Sequence, residues 1–316
     1  MDLDLRLVRY AVAVAEELHF GRAASRLLIT EQTLSAQIKH LEARLGLALF
    51  DRNRRQVMIT AAGQVFVERG RRLLADAEDL LAEITQNPAP LRVDVVTEAV
   101  ETPRLVVEHL RANLPGVPLE IRLGQGLAAV LPALLSGELD LAFGRAAWGG
   151  NKLPDALDHV PVRLNHIGVM LPAGHELASR DEVTLAELAR VPMLIFTPRE
   201  AADWRDYQEE MVKAFGLRLS EVVHGHGIGA STAAVLSHGH AHVIPLDVHR
   251  LDGVVVRPLV DPVPVYPWSA VWRASRHDPR LEQSIALIQE FAAERKWLVP
   301  PQRPWWAPAG DVTHTD

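Results

Sequence analysis

Residues Thr30 to Gly46 read TEQTLSAQIKHLEARLG, and this stretch decides how the rest of the chain is understood. Leu34, Ile38, Leu41 and Leu45 recur at steps of four, three and four, which places them in one stripe of a helix. At about 100° per residue the opposite face carries Gln32, Ala36, Lys39 and His40, with Thr33 and Ser35 on its flanks. Thr30 suits the N-cap, and Gly46 suits a left-handed residue closing the last turn. The pattern predicts a short helix with a buried stripe and a polar outer face. Such a face fits a DNA major groove, where amides and hydroxyls meet base edges and phosphates. An ordinary amphipathic surface helix would show the same stripe, so the flanking sequence has to discriminate.

Upstream, Leu5, Val8, Val12 and Ala15 mark a first helix ending near Leu18. Phe20 to Leu28 marks a second, with Ala23, Ala24 and Leu27 inward and Ile29-Thr30 as the turn into the third. Small alanines allow close approach, and the arrangement is that of a helix-turn-helix. After Gly46, Leu47, Leu49 and Phe50 lead into DRNRRQVMIT, where Arg52, Arg54 and Arg55 sit in a turn between two short extended runs. Beside a helix-turn-helix, an arginine-rich turn of this kind reads as a wing that contacts phosphates or the minor groove. The candidate DNA-facing residues are Arg22, Thr30, Glu31, Gln32, Thr33, Ser35, Gln37, Lys39 and His40 in the helices and Arg52, Arg54 and Arg55 in the wing.

The motif residues Phe20, Arg22, Ala23, Ala24 and Leu27, then Leu34, Ser35, Gln37, Ile38, Leu41 and Glu42, then Leu45-Gly46, Leu49-Phe50, Arg52, Thr60, Ala62 and Gly63 together resemble the N-terminal signature of the LysR-type transcriptional regulators. The resemblance covers some sixty residues in order. It implies a winged helix-turn-helix joined to a ligand-sensing C-terminal half. Two departures stand out. The family usually has Ser-Gln-Pro where this chain has Thr30-Glu31-Gln32, and often has Arg where this chain has Ala36. Loss of an arginine–guanine contact removes about 1–3 kcal/mol of discrimination. An altered target site is therefore expected, with more of the reading on Gln32, Ser35 and Lys39.

Composition sets the outer limits. The 316 residues are long enough for two or three domains, and 48% hydrophobic with 23% charged residues is globular composition. The absence of cysteine excludes disulfides, thiolate catalysis and Cys-ligated metals. No apolar run is long enough for a membrane span and no secretory leader pattern opens the chain, so the sequence reads as cytoplasmic with no membrane partner. Net charge is −7, but residues 1–60 hold nine Lys/Arg against seven Asp/Glu. A mildly basic head on an acidic body is the picture expected of a DNA binder whose second half does something else.

Thr60 can cap a helix from Ala61 to about Gln86. Phe66, Leu73 and Leu80 are seven apart, and Gly70, Ala77 and Ile84 form a second heptad line, loosened at Gly70. A dyad DNA reader needs a two-fold partner, so this helix reads as a homodimer interface through Phe66, Leu73, Ala77, Leu80 and Ile84, and the family resemblance implies the same linker, often within a homotetramer. Asn87-Pro88-Ala89-Pro90 ends it as a hinge. From Leu91, short apolar runs alternate with helical patterns, implying crossover units and parallel sheets. Gly137 to Phe143 and Leu171 to His175 resemble family landmarks. They imply two α/β subdomains of the periplasmic type II binding-protein kind with a ligand cleft between them. The expected organisation is a winged helix-turn-helix at 1–60, a linker helix at 61–87, an effector domain at 88–298 and a flexible tail at 299–316. Within the effector domain, subdomain I spans 91–165 and 271–298 and subdomain II spans 166–270. Trp305 and Trp306 of the tail could dock on the body or a partner.

Thr102-Pro103 and Thr197-Pro198 each look like a helix start, the second with Glu200 completing a capping box. Two helix N-termini at a cleft would favour a small anionic or polar effector. Plain capping without ligand is equally open. The candidate cleft residues are Thr97, Glu98, Thr102, Gln125, Gly126, Arg145, Trp148, Phe196, Thr197, Arg199 and His226. Histidines 224, 226, 238, 240 and 242 form a run, but without cysteines or nearby carboxylates they are not read as a metal site, and no cofactor or catalytic motif is present. The expected function is an effector-responsive regulator binding dyad promoter sites on double-stranded DNA, not an enzyme. Rival readings are a ligand-independent regulator whose cleft is filled by its own side chains, and a solute-binding or enzymatic α/β protein whose N-terminal helices serve only assembly.

Overall fold

The computed structural model describes residues 3–51, 57–85, 90–96, 100–124, 126–197, 201–225, 227–248 and 252–310. Wing residues Arg52, Arg54 and Arg55 and the hinge at 87–89 lie outside them. The chain divides into two compact units, residues 1–89 with 135–138, and residues 90–134 with 139–316.

In the first unit, helix α1 (Leu5–Glu17) is capped by Asp4, which accepts the Arg6 amide at 2.8 Å. Its buried face is Leu7, Val8, Ala11, Val12, Ala13 and Val14; Leu5, expected inward, is exposed because it sits in the first turn, beyond the reach of the other helices. Helix α2 (Phe20–Arg26) stops two residues before the expected Leu28, where Leu28 adopts φ 57° and turns the chain. Helix α3 (Glu31–Leu45) has Thr30 as N-cap, its hydroxyl accepting the Thr33 amide at 3.2 Å, and left-handed Gly46 as C-cap. Leu34, Ile38 and Leu41 are all within 2% of complete burial. At about 1.5–3 kcal/mol each, they anchor α3 with roughly 5–9 kcal/mol of burial. Strands β1 (Phe50–Asp51) and β2 (Met58–Ile59) pair antiparallel and define the wing.

Helix α4 (Ala61–Thr85) is capped by Thr60, whose hydroxyl accepts the Gly63 amide at 3.0 Å. Gly70 does not loosen this helix: a Cβ there would stand 2.7 Å from Val8 Cγ1, so the glycine is what lets α1 lie against α4. Val8, Val12 and Val67 fill that contact. Leu73, Leu80, Leu81 and Val65 remain exposed on the rest of the helix.

In the second unit, β3 (Leu91–Asp94) pairs in parallel with β4 (Leu119–Arg122) across helix α5 (Glu101–Asn113). Helix α6 (Leu127–Ser136) leads to β5 (Ala142–Gly144), and β6 (Ala147–Trp148) and β7 (Asn151–Lys152) form a small hairpin. Then comes β8 (Leu157–Pro172), a sixteen-residue strand. A 3₁₀ turn, β9 (Val183–Thr184) and short α7 (Leu185–Leu188) follow. Strand β10 (Pro192–Thr197), helix α8 (Ala202–Phe215) and β11 (Arg218–His224) make a second parallel crossover, followed by α9 (Gly227–His238) and β12 (His242–Pro245). Strands β13 (Val254–Val260) and β14 (Val263–Arg273), helix α10 (Pro279–Glu294) and β15 (Trp305–Trp306) complete the chain.

The parallel crossovers are as expected, but the sheet that joins them is mixed, with antiparallel pairs along its long strand. One part of β8 pairs with β14 and the other with β12 and β13, so a single strand serves both halves of the body. Prolines 258, 264 and 267 disguise β13 and β14 in the sequence. The tail is not free at its tryptophans: Trp305 and Trp306 pair with Val263 and Pro264, and Trp306 packs against Tyr207 and Phe215. Among the described residues no helix is long and apolar enough to cross a membrane.

Candidate nucleic-acid interface and effector cavity

The head presents α3 with Gln32, Thr33, Lys39 and His40 exposed and Ser35 and Gln37 half-buried. Thr30 is committed to its cap and to the Thr33 hydroxyl at 2.8 Å. Two expected contact residues are turned elsewhere. Arg22 reaches back to Glu17, through the carboxylate at 3.2 Å and the backbone carbonyl. Glu31 leans on α2, its Oε2 only 2.9 Å from where a Cβ on Gly21 would stand. Glu42, part of the signature but not a candidate contact, has a clear structural task. Its Oε1 accepts the amides of Leu49 and Phe50 at 2.9 and 3.1 Å, tying the first wing strand to the recognition helix.

The second unit holds a cavity of about 150 Å³. Its wall is aromatic and aliphatic, from Phe196, Trp204, Tyr266, Trp268, Val96, Val100, Ile228 and Ile244, with Ser231, His242, Asp203 and Asp247 as the polar groups. Of the expected cleft residues, Gly126 and Phe196 line it. Thr97, Glu98, Gln125, Arg199 and His226 lie outside the described residues. The others are set behind the wall or away from it. Thr102 is buried and accepts from Arg163 at 3.2 Å. Thr197 ends β10, its hydroxyl donating to the Ala201 carbonyl at 3.5 Å. Trp148 belongs to the β6–β7 hairpin. Arg145, 1% exposed, is held by Asp206 and Glu210, both at 2.8 Å.

The two expected helix starts need correction. Helix α5 opens one residue before Thr102, with Val100 as its N-cap and Pro103 inside the first turn. Helix α8 opens at Ala202 behind Ala201, with no side-chain cap. Thr197 stays in β10 because the strand's pairing with β11 runs through it to His224. Glu200 lies outside the described residues, and the capping box present in this region is Thr184 with Glu187.

Sequence reasoning missed the groups that define the cavity's chemistry. Asp203 is fully buried; its Oδ2 accepts the Tyr266 hydroxyl at 3.1 Å. Burial pushes its pKa up, against the Tyr266 hydroxyl, the Ala128 amide and Arg145. Asp94, behind the same wall, is pushed up to about 6 by burial, although its carboxylate accepts the amide of Val96 at 3.2 Å. That bond holds Val96 at φ 65°, a strained conformation for a β-branched residue, at the cavity's edge. Asp247 and Glu101 share Arg163, at 2.9 and 3.3 Å. Burial also drives His242 down to about 4, so it lines the cavity as a neutral ring, its Nδ1 3.3 Å from the Leu194 carbonyl. An aspartate next to a tryptophan at the start of an amphipathic helix was the one visible signal. Of the histidine run, His238 and His240 approach with ring centroids 6.2 Å apart and His226 lies outside the described residues; among the described residues no three His, Asp or Glu groups gather to hold a metal.

A helix-turn-helix with an outward polar helix, carried on the same chain as an α/β body with an internal cavity, defines a two-part sensor and regulator. Residues 5–64 match the bacterial regulatory helix-turn-helix of the lysR family, and residues 86–293 match the LysR substrate binding domain. The chain belongs to the LysR family of transcriptional regulators. It is 33% identical over 270 residues to the regulator XapR of Escherichia coli K12, covering 83% of this chain and 89% of that one. It is 36% identical over 204 residues to YnfL of the same organism, an uncharacterized HTH-type transcriptional regulator, covering 63% and 67%. Full-length CbnR, solved in complex with its target DNA, has the same fold, with TM-score 0.66 at 21% identity over 91% of this chain and 99% of that one.

Proposed function

We propose that this protein is a homo-oligomeric transcriptional regulator that reads dyad promoter DNA through α3 and the wing and responds to a small molecule held in the body's cavity. The observation that carries the DNA half is the anchoring of α3. Its apolar stripe is buried while Gln32, Thr33 and Lys39 are exposed on the other side. Gln32, Ser35 and Lys39 read and position; Thr30, Thr33, Gln37 and His40 border them, and Arg52, Arg54 and Arg55 supply phosphate contacts from the wing. Arg22 and Glu31, both exposed, are engaged with Glu17 and with α2 at the surface of the head. CbnR, of the same fold, carries DNA in its complex. The exposed Leu73 and Leu80 on α4, beside Phe66 and Ala77, favour a helix-to-helix dimer. Winged head at 1–60, linker at 61–87 and effector domain at 88–298 are the working parts, acting in the cytoplasm and without an enzymatic step. Footprinting on DNA upstream of its own and adjacent genes tests the reading. A dyad footprint that weakens steeply with salt, and is lost in Gln32→Ala/Lys39→Ala, is expected. No protection at low ionic strength would overturn it.

A further inference from the structure

We propose that the cavity's ligand is a small organic ammonium ion with an apolar or aromatic body, seated against the rings of Trp204, Tyr266 and Trp268 with its charge on Asp203. This rests on the effector-sensing reading above and names the chemistry of its ligand.

Size comes first. At about 150 Å³ the space is that of a benzene-sized guest. Shape comes next. Trp204 and Tyr266 meet edge-to-face with centroids 5.3 Å apart, and Tyr266 and Trp268 do so at 4.9 Å. Tilted rings of this kind present both faces and edges, and ring faces attract cations.

Charge decides the class. Among the described residues, the two guanidiniums beside the cavity's carboxylates are each already met by two carboxylates: Arg145 by Asp206 and Glu210, Arg163 by Glu101 and Asp247. Asp203 stands in addition to these, with Asp94 behind it. The described surroundings therefore hold more carboxyl groups than guanidiniums, a balance that disfavours a carboxylate ligand and favours an ammonium.

Asp203 also has capacity to spare. It is buried to 2% exposure, and while Oδ2 takes the Tyr266 hydroxyl, Oδ1 has no hydrogen-bond partner of good geometry among the described residues. Oδ1 lies 2.9 Å from where a Cβ on Gly126 would stand, on the backbone that lines the cavity. An ammonium N–H would satisfy this oxygen and favour the ionised carboxylate that burial otherwise disfavours. The Trp268 indole N–H is likewise without a partner among the described residues, so a hydroxyl or carbonyl oxygen elsewhere on the ligand would also be accommodated.

Three matched probes test the assignment on the intact protein by calorimetry and thermal shift: benzylamine, benzyl alcohol and benzoate. Benzylamine is expected to bind at least about tenfold more tightly than either isostere. Asp203→Asn should remove that advantage, bringing benzylamine to within about twofold of benzyl alcohol. Trp204→Leu, at a partly exposed ring, should weaken benzylamine more than benzyl alcohol and covers the case in which Asp203→Asn fails to fold. Equal or tighter binding of benzoate or benzyl alcohol, or no binding of benzylamine, overturns the ammonium assignment. Promoter retardation by the same preparation keeps the two questions apart. A chain that retards DNA and ignores benzylamine loses the ammonium ligand and remains a regulator; one that binds benzylamine and ignores DNA has the opposite outcome.

Discussion

His242 offers a quantitative test of the cavity's interior. Its ring is buried, lies edge-on to Phe196 with centroids 6.1 Å apart, and titrates near 4 in place of 6.5. A base whose folded pKa is depressed stabilises nothing extra above its unfolded pKa. It costs stability as pH falls from 6.5 toward 4, because the unfolded chain takes the proton first. Between pH 7 and pH 5 this amounts to about 2 kcal/mol lost. Asp94 works in the opposite direction. With its folded pKa raised from 3.8 to about 6, the native state takes up the proton first, and the same acidification restores about 1.3 kcal/mol. From these two groups together the wild type should lose only about 0.5 kcal/mol on going from pH 7 to pH 5. His242→Gln removes the larger contribution and keeps a donor for the Leu194 carbonyl. Relative to wild type, its unfolding free energy should therefore be about 2 kcal/mol better preserved at pH 5 than at pH 7. Urea unfolding of both proteins at the two pH values, followed by tryptophan fluorescence of the body, reads this directly. Parallel pH profiles for the two proteins would refute the reasoning, since they would mean His242 protonates as easily folded as unfolded.

Other parts of the molecule give sharper functional readouts. Leu73→Glu with Leu80→Glu places charge on the exposed stripe of α4 and should convert the oligomer to monomer by light scattering, with loss of dyad footprinting. Glu42→Ala frees the amides of Leu49 and Phe50 and should cost about 1–3 kcal/mol in the head while weakening DNA binding through a displaced wing. Arg145→Met leaves Asp206 and Glu210 facing each other without their shared cation, and should lower body stability by about 3–5 kcal/mol at neutral pH, with partial recovery in acid. Glu31→Gln with Ala36→Arg should shift target-site preference in a selection from random DNA, chiefly through the new arginine, because Glu31 itself leans on α2.

The head was legible in its sequence because its signals are local. A stripe at steps of four, three and four, a threonine cap and a closing glycine act within a single helix, and α3 forms where those residues place it. The turn between α2 and α3 and the two wing strands are equally short-range. Gly70 shows where local reading ends: as a heptad position it looked like a weakness, and only the approach of Val8 from a helix more than fifty residues earlier gives it a purpose. The body depends on such distant partners. Strand β8 is read correctly only once β14, about a hundred residues later, lies beside it, and Pro264 and Pro267 within β14 hide that strand from any propensity argument. The cavity is the extreme case, because Asp203 and Trp204 from α8, His242 from β12, and Tyr266 and Trp268 from β14 belong to three elements that meet only in the folded body. The linear chain determined that a polar helix would be offered outward on a small apolar head and that α/β crossovers would follow. Tertiary packing alone decided which charges face the cavity, since burial and the pairing of each arginine with two carboxylates depend on segments that meet only after folding.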